Sequence, residues 1–171
     1  GADAKIIEPE LKKLLEPYKD GSIGLAQINP IAGDIEYNAA KVVKYIKHAE
    51  NIGLDLVVFP ELILMGYPIE DTIDRHPVIV EENVKWLKEI AKITTKTTAI
   101  VGFVEPRKYD NLTGKKYYNS AAVLQNGKIT GIIRKSLLPT YSEFNDYRYI
   151  EPSPVVGSQC ADTFGCFSEE K

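Results

Sequence analysis

From Ser22 to Arg134 the apolar positions alternate between short strand-like runs and helical stripes. Ser22 to Ile28 reads as a first strand, after which Asn29-Pro30 and Gly33-Asp34 supply turn chemistry. From about Asn38 to Ile52 a helix is predicted: Ala39, Val42, Val43, Ile46 and Ala49 line one face and Lys41, Lys44 and Lys47 the other. Gly53 closes it. Asp55 to Phe59 is almost uniformly apolar, the pattern of a strand covered on both faces. A loop from Glu61 to Pro77 leads to a second amphipathic helix over Pro77 to Ile93, with Val80, Val84, Leu87 and Ala91 on one side. Thr97 to Phe103 is a third strand. Asn119 to Gln125 and Lys128 to Arg134 then flank Asn126-Gly127, a strong hairpin signal because both turn positions tolerate positive φ.

Strand, helix, strand, helix, strand and hairpin together predict an α/β fold with a mixed sheet and helices on one face. A doubly wound nucleotide fold is the competitor, but the connection Asn29-Pro30-Ile31-Ala32-Gly33-Asp34 holds a single glycine where a phosphate cradle needs several. Residues 1–20 are expected to form an extension with a short helix over Glu8 to Glu16, carried by Leu11, Leu14 and Leu15. Residues 21–151 hold the main domain, and residues 152–171 show little periodicity and are expected to be irregular.

Composition narrows the function classes. With 171 residues, 44% hydrophobic and 26% charged, the chain is long enough for one core. A net charge of -3 with both signs dispersed gives no basic patch for nucleic acid. No apolar run reaches the ~20 residues of a membrane span, and the N-terminus lacks a signal-peptide pattern, so a cytoplasmic protein is expected. The two cysteines, Cys160 and Cys166, match neither a zinc pair nor a redox pair, and no metal site is predicted. His48 on a charged helix face and His76 beside a proline read as surface residues.

The chemistry concentrates at strand ends. Pro60-Glu61-Leu62 follows the second strand and delivers a carboxylate, while Lys135 follows the last strand and delivers a cation. A base and a fixed positive charge on neighbouring strand ends suit a polar active site. Tyr67, Phe144 and Arg148 fall in short segments beyond strands as well.

These segments resemble the nitrilase superfamily of carbon-nitrogen hydrolases. The resemblance runs from Ser22 to about Pro152 and rests on Phe59-Pro60-Glu61-Leu62 with Gly66-Tyr67, and on Arg134-Lys135-Ser136-Leu137-Leu138-Pro139-Thr140-Tyr141 with Glu143-Phe144 and Tyr147-Arg148-Tyr149. Within it, Gly66-Tyr67-Pro68-Ile69-Glu70-Asp71 and Phe144 to Tyr149 are similar to the glutaminase domain of glutamine-dependent NAD synthetases. The resemblance implies a nitrilase-like α-β-β-α sandwich with mixed sheets, of which this chain would hold an incomplete N-terminal part. It implies a glutamine amidohydrolase that releases ammonia through a glutamate, a lysine and a cysteine, with no cofactor for the amidase reaction. Glu61 and Lys135 match the first two roles, and Tyr67, Phe144 and Glu143 match or adjoin substrate-binding positions.

The third role is where the pattern breaks. The family's cysteine follows a strand, in a glycine-led apolar run before an acid. Cys166 in Thr163-Phe164-Gly165-Cys166-Phe167-Ser168-Glu169 has the glycine and the acids without the strand, and Cys160 fits less well. Against the family's pattern Cys166 is the nearer match for the nucleophile the resemblance implies, and an ordinary thiol is the expectation. Glutamine or another small amide is the expected ligand, and a homo-oligomer or the remainder of an NAD synthetase the expected partner. Two other functions compete: a stand-alone nitrilase-type amidase, and a non-catalytic binding or assembly module on the same scaffold.

Overall fold

The structure, a computed structural model, describes residues 21–68, 73, 76–107, 116–139 and 146–153. Cys160, Cys166, Glu143, Phe144, the expected helix over Glu8 to Glu16 and nearly all of residues 152–171 lie outside the described residues. The described elements in order are β1 (Ile23–Leu25), α1 (Ile35–Asn51), β2 (Leu56–Val58), α2 (Val78–Ile93), β3 (Thr98–Pro106), β4 (Tyr117–Gln125) and β5 (Lys128–Arg134), followed by a 3-10 turn, Asp146–Arg148. The five strands form one sheet in sequence order, with β1, β2 and β3 parallel and β4 and β5 antiparallel. This is the mixed α/β sheet that the alternating pattern predicts.

Helix α1 starts three residues earlier than its apolar stripe suggests. Asp34 caps it by accepting a hydrogen bond from the Tyr37 amide at 3.1 Å, and Ile35 enters the core at the first turn. Alternation along the strands sorts the sheet into two faces. Val57, Ala99, Val101, Phe103, Ala122, Leu124 and Ile132 meet Val42, Ile46, Leu87, Ile90 and Ala91 of the two helices, so both helices pack on one face. The opposite face carries Ile23 and Leu25, which are 54% and 72% exposed among the described residues. The second sheet of the expected sandwich is not among the described residues. The hairpin has φ of 52° at Asn126 and 76° at Gly127, the pair of positive values that a type I′ turn requires.

Two details of β3 place the functional site. Strand β2 pairs with β3 only as far as Val58 opposite Ile100, leaving the end of β3 without a strand neighbour on that side. The fully buried Asn83 of α2 takes that place: its Nδ2 donates to Val104 O at 2.7 Å, and its Oδ1 accepts from Val104 N at 3.4 Å. The chain leaving β2 then crosses the sheet directly over Gly102. A Cβ there would sit 2.5 Å from Leu62 N and 2.8 Å from Pro60 O, so only glycine allows the turn to lie against the strand. Leu62, with φ of 50°, completes that turn, and Leu62 to Met65 are buried. What reads as a loop in sequence is thus anchored by four core side chains.

Candidate active site

Glu61 stands at the crest of the turn over Gly102, beyond the carboxyl end of β2, the position at which open α/β sheets gather ligands. Lys135 leaves the end of β5, its amide donating to Asn119 O at 2.8 Å. Its Nζ lies 2.7 Å from Glu61 Oε1, joining residues 74 positions apart. The side chain of Asn119 donates to the same Oε1 through Nδ2. Both donors therefore converge on one oxygen. Glu61 Oε2 has no hydrogen-bond partner among the described residues. An acid held by one oxygen and open at the other is built to exchange a proton at the open one.

The second carboxylate of the site is Asp146. It is 3% exposed, accepts a hydrogen bond from the Tyr67 hydroxyl at Oδ1 (3.0 Å), and sets Oδ2 3.6 Å from Lys135 Nζ. The segment carrying it is tied to the strand ends: Ile150 N bonds Asp146 O at 2.8 Å, Glu151 N bonds Tyr117 O at 2.8 Å, and Ser153 N bonds Lys135 O at 3.1 Å. One lysine thus sits between two carboxylates, leaving the cluster with a net negative charge.

The structure brings together three of the residues singled out from sequence: Glu61, Lys135 and Tyr67. Tyr67 directs its hydroxyl to Asp146, and Arg148 is exposed, its guanidinium 5.1 Å from the Tyr149 ring. The Glu61 side chain is 49% exposed among the described residues. Asn119 and Asp146 escape the sequence reading. Asn119 is a buried amide where an apolar residue is the norm for a strand interior, and that polar interruption was its signal. Asp146 offers no signal beyond lying two residues before Arg148.

A further polar group lies beside the site. Arg134 donates through Nε to Glu105 Oε2 at 2.8 Å and through its Nη2 to Oε1, Ser120 Oγ donates to Oε2 at 2.8 Å, and the guanidinium stacks 4.5 Å over Tyr118. This fixes the residue preceding Lys135 and hence the exit of β5. Among the described residues no cluster of His, Cys, Asp or Glu has the arrangement of a metal site, and no helix is long and apolar enough to cross a membrane.

Residues 22–164 match the carbon-nitrogen hydrolase family. The chain belongs to that family. Carbon-nitrogen hydrolase relatives with similar sequence include glutamine-dependent NAD(+) synthetases of Thermotoga maritima, 40% identical over 76% of this chain, and of Synechocystis, 39% identical over 75%. The chain spans 22% and 23% of the length of those two proteins. Among solved structures, a glutamine-dependent NAD+ synthetase from Acinetobacter baumannii is 30% identical with a TM-score of 0.66, covering 81% of this chain and 24% of that one. An amidase from Nesterenkonia, 19% identical with a TM-score of 0.64 over 80% of this chain and 48% of that one, shares the fold.

Proposed function

We propose that this chain is part of a glutaminase domain that hydrolyses the side-chain amide of glutamine and supplies the ammonia for NAD synthesis. The observation that carries the reading is the contact of Lys135 Nζ with Glu61 Oε1 at 2.7 Å, steadied by Asn119, with no partner on Oε2 among the described residues. Relatives that are glutamine-dependent NAD(+) synthetases support glutamine as the amide.

In this reading Glu61 Oε2 takes the proton of a cysteine thiol, and the thiolate sulfur attacks the amide carbon. The carbonyl π pair moves to oxygen, and Lys135 offsets the charge of the tetrahedral oxyanion. Collapse breaks the carbon-nitrogen bond. Ammonia leaves with the proton returned by Glu61, and a thioester remains. Glu61 next takes a proton from water, whose oxygen attacks the thioester, and glutamate and the free thiol are released. The nucleophilic thiol lies outside the described residues. Cys166 is the candidate within this chain, although its sequence segment lacks the strand-like apolar run that the resemblance puts before the nucleophile.

Ammonia release from glutamine by the intact protein tests this. Glu61→Gln is isosteric and removes the base, and turnover is expected to fall by about 1,000-fold or more. The Lys135 contact it disturbs is between side chains 31% and 49% exposed, so stability is expected to change by no more than about 1 kcal/mol. Activity that survives Glu61→Gln would sink the mechanism.

A further inference from the structure

We propose that Asn38 is a positioning residue for Tyr67: from the buried face of α1 it ties the β1–α1 loop to the chain beyond Glu61, and Tyr67 enters the site from that seam. Asn38 is fully buried, a polar side chain within the apolar stripe of Ile35, Ala39, Val42 and Ile46. Such a group is costly unless its hydrogen bonds are made. Its Nδ2 donates to Ile31 O at 2.7 Å and to Leu64 O at 3.1 Å, using both protons, and its Oδ1 accepts from Ile31 N at 2.8 Å. Two more contacts continue the seam. Gly33 N donates to Met65 O at 2.8 Å. Gly66, with φ of 80°, lies so close to the loop that a Cβ would sit 2.7 Å from Ala32 Cα and 2.9 Å from Ala32 N. Leu64, Met65 and Gly66 thus rest in succession on the loop, and Tyr67 is the next residue.

The turn after β2 therefore has two supports, one at each end. Glu61 is seated by the close approach at Gly102 and by Asn119 and Lys135 on its Oε1. Tyr67 is seated by Asn38 and the loop, and its hydroxyl reaches across to the Asp146 carboxylate at 3.0 Å, so it borders the cluster that holds Glu61 and Lys135. The two ends serve different parts of the work. Glu61 exchanges the proton, whereas Tyr67 borders the site without holding a reacting proton and acts on the fit of the amide. A side chain of that kind changes binding of substrate and transition state alike, which appears in KM and not in kcat. Loss of Asn38 loosens Tyr67 and leaves Glu61 on its own support. The effect on turnover rests on the glutaminase reading, and the bracing of Tyr67 does not.

The test uses Asn38→Ala in the intact protein. Tyrosines are nitrated with limiting tetranitromethane at one fixed pH, and Tyr67 is quantified by peptide mass spectrometry against Tyr45, which is exposed on α1. Release of Tyr67 is expected to raise the ratio of Tyr67 to Tyr45 nitration by about threefold or more. In the ammonia assay KM for glutamine rises by about tenfold while kcat stays within about threefold. Thr97→Val is the control for lost stability alone: it removes a bond to Leu54 O at 2.6 Å at the opposite end of the sheet. It lowers the urea midpoint and leaves both the ratio and KM unchanged. A folded Asn38→Ala protein with an unchanged nitration ratio, or with its loss confined to kcat, overturns the proposal. A raised ratio in a protein whose wild type releases no ammonia overturns the glutaminase reading and leaves the bracing intact. Should Asn38→Ala not fold, hydrogen exchange in the wild type decides. The amides of Ile31 and Gly33, held by Asn38 Oδ1 and Met65 O, are expected to exchange within about tenfold of the Leu64 amide, as one unit. Faster exchange at Ile31 and Gly33 overturns the proposal equally.

Discussion

Replacing Gly102 by alanine strikes the close approach that lets the turn carrying Glu61 lie against β3. The added methyl would lie 2.5 Å from Leu62 N, 2.8 Å from Pro60 O and 3.1 Å from the Glu61 carbonyl carbon, and all three are backbone atoms with no rotamer by which to escape. Restoring an ordinary separation of roughly 3.5 Å requires the turn and the strand to part by about 1 Å. The strand is poorly placed to yield, because Val101 and Phe103 on either side are locked into the helix-facing core and Gly102 pairs with Ala121. The turn must move, and it carries Glu61 away from Asn119 and Lys135.

Overpacking of this kind costs about 1–3 kcal/mol, and a displacement of about 1 Å at a reacting group lowers turnover about 100-fold. Urea unfolding and ammonia release by the intact protein measure the two effects separately. Gly131→Ala is the matched control: its methyl would meet Val123 at 3.9 Å, an ordinary contact, so stability should stay within about 0.5 kcal/mol and turnover should not change. A Gly102→Ala protein with the unfolding midpoint and rate of Gly131→Ala would refute the claim that close approach at Gly102 sets Glu61.

Asn83→Leu keeps the branched shape but leaves the Val104 amide and carbonyl without their partner, and urea unfolding is expected to show a loss of about 2–4 kcal/mol. Glu50 is pushed upward by its partial burial, but the backbone amides of Lys96, Thr95 and Thr97 and the Lys96 charge together hold its carboxyl below its ordinary value of 4.5. Its contribution is therefore complete above that ordinary value and is lost as pH falls through the lower, folded one. Melting curves of Glu50→Gln and wild type should differ at pH 7 and converge in strong acid; a gap unchanged down to pH of about 2 would contradict the assignment. Arg134→Lys keeps the charge but loses the two-pronged bond to Glu105 and the stacking on Tyr118, with an expected cost of about 1–3 kcal/mol by urea unfolding.

Strand and helix periodicity was legible because each apolar position on one face reports the same core. Helix α2 and the hairpin at Asn126-Gly127 fall close to where the pattern puts them. Boundaries set by something other than hydrophobicity were less legible. Strand β4 begins at Tyr117, ahead of the expected Asn119, because the added residues face Glu105 and Pro106 of an equally extended β3. Strand β1 is shorter than its apolar run, since only three of its residues pair with β2. Glu61 and Lys135 were visible because each stands at the end of a recognisable run. The residues that hold them were not, because Asn119, Asp146 and Gly102 act through partners 58, 11 and 40 or more positions away, and spacing along the chain carries no trace of such contacts.

That division has a physical cause. Glu61 and Lys135 sit where strands end, so their surroundings announce them. Their supports need only reach across the sheet, and any polar residue at the right register can do so. Register is what the structure adds: Asn119 opposite Val104 and Ser120 opposite Arg134 put a neutral amide on the face of Glu61 and an ion pair on the other. Because alternate residues point to opposite faces, a one-residue slip of β4 would exchange the two, presenting Ser120 to Glu61 and turning Asn119 toward Glu105. The doubly bonded Glu105–Arg134 pair therefore specifies the register of β4 as well as the exit of β5, and through both it fixes the two donors that meet on Glu61 Oε1.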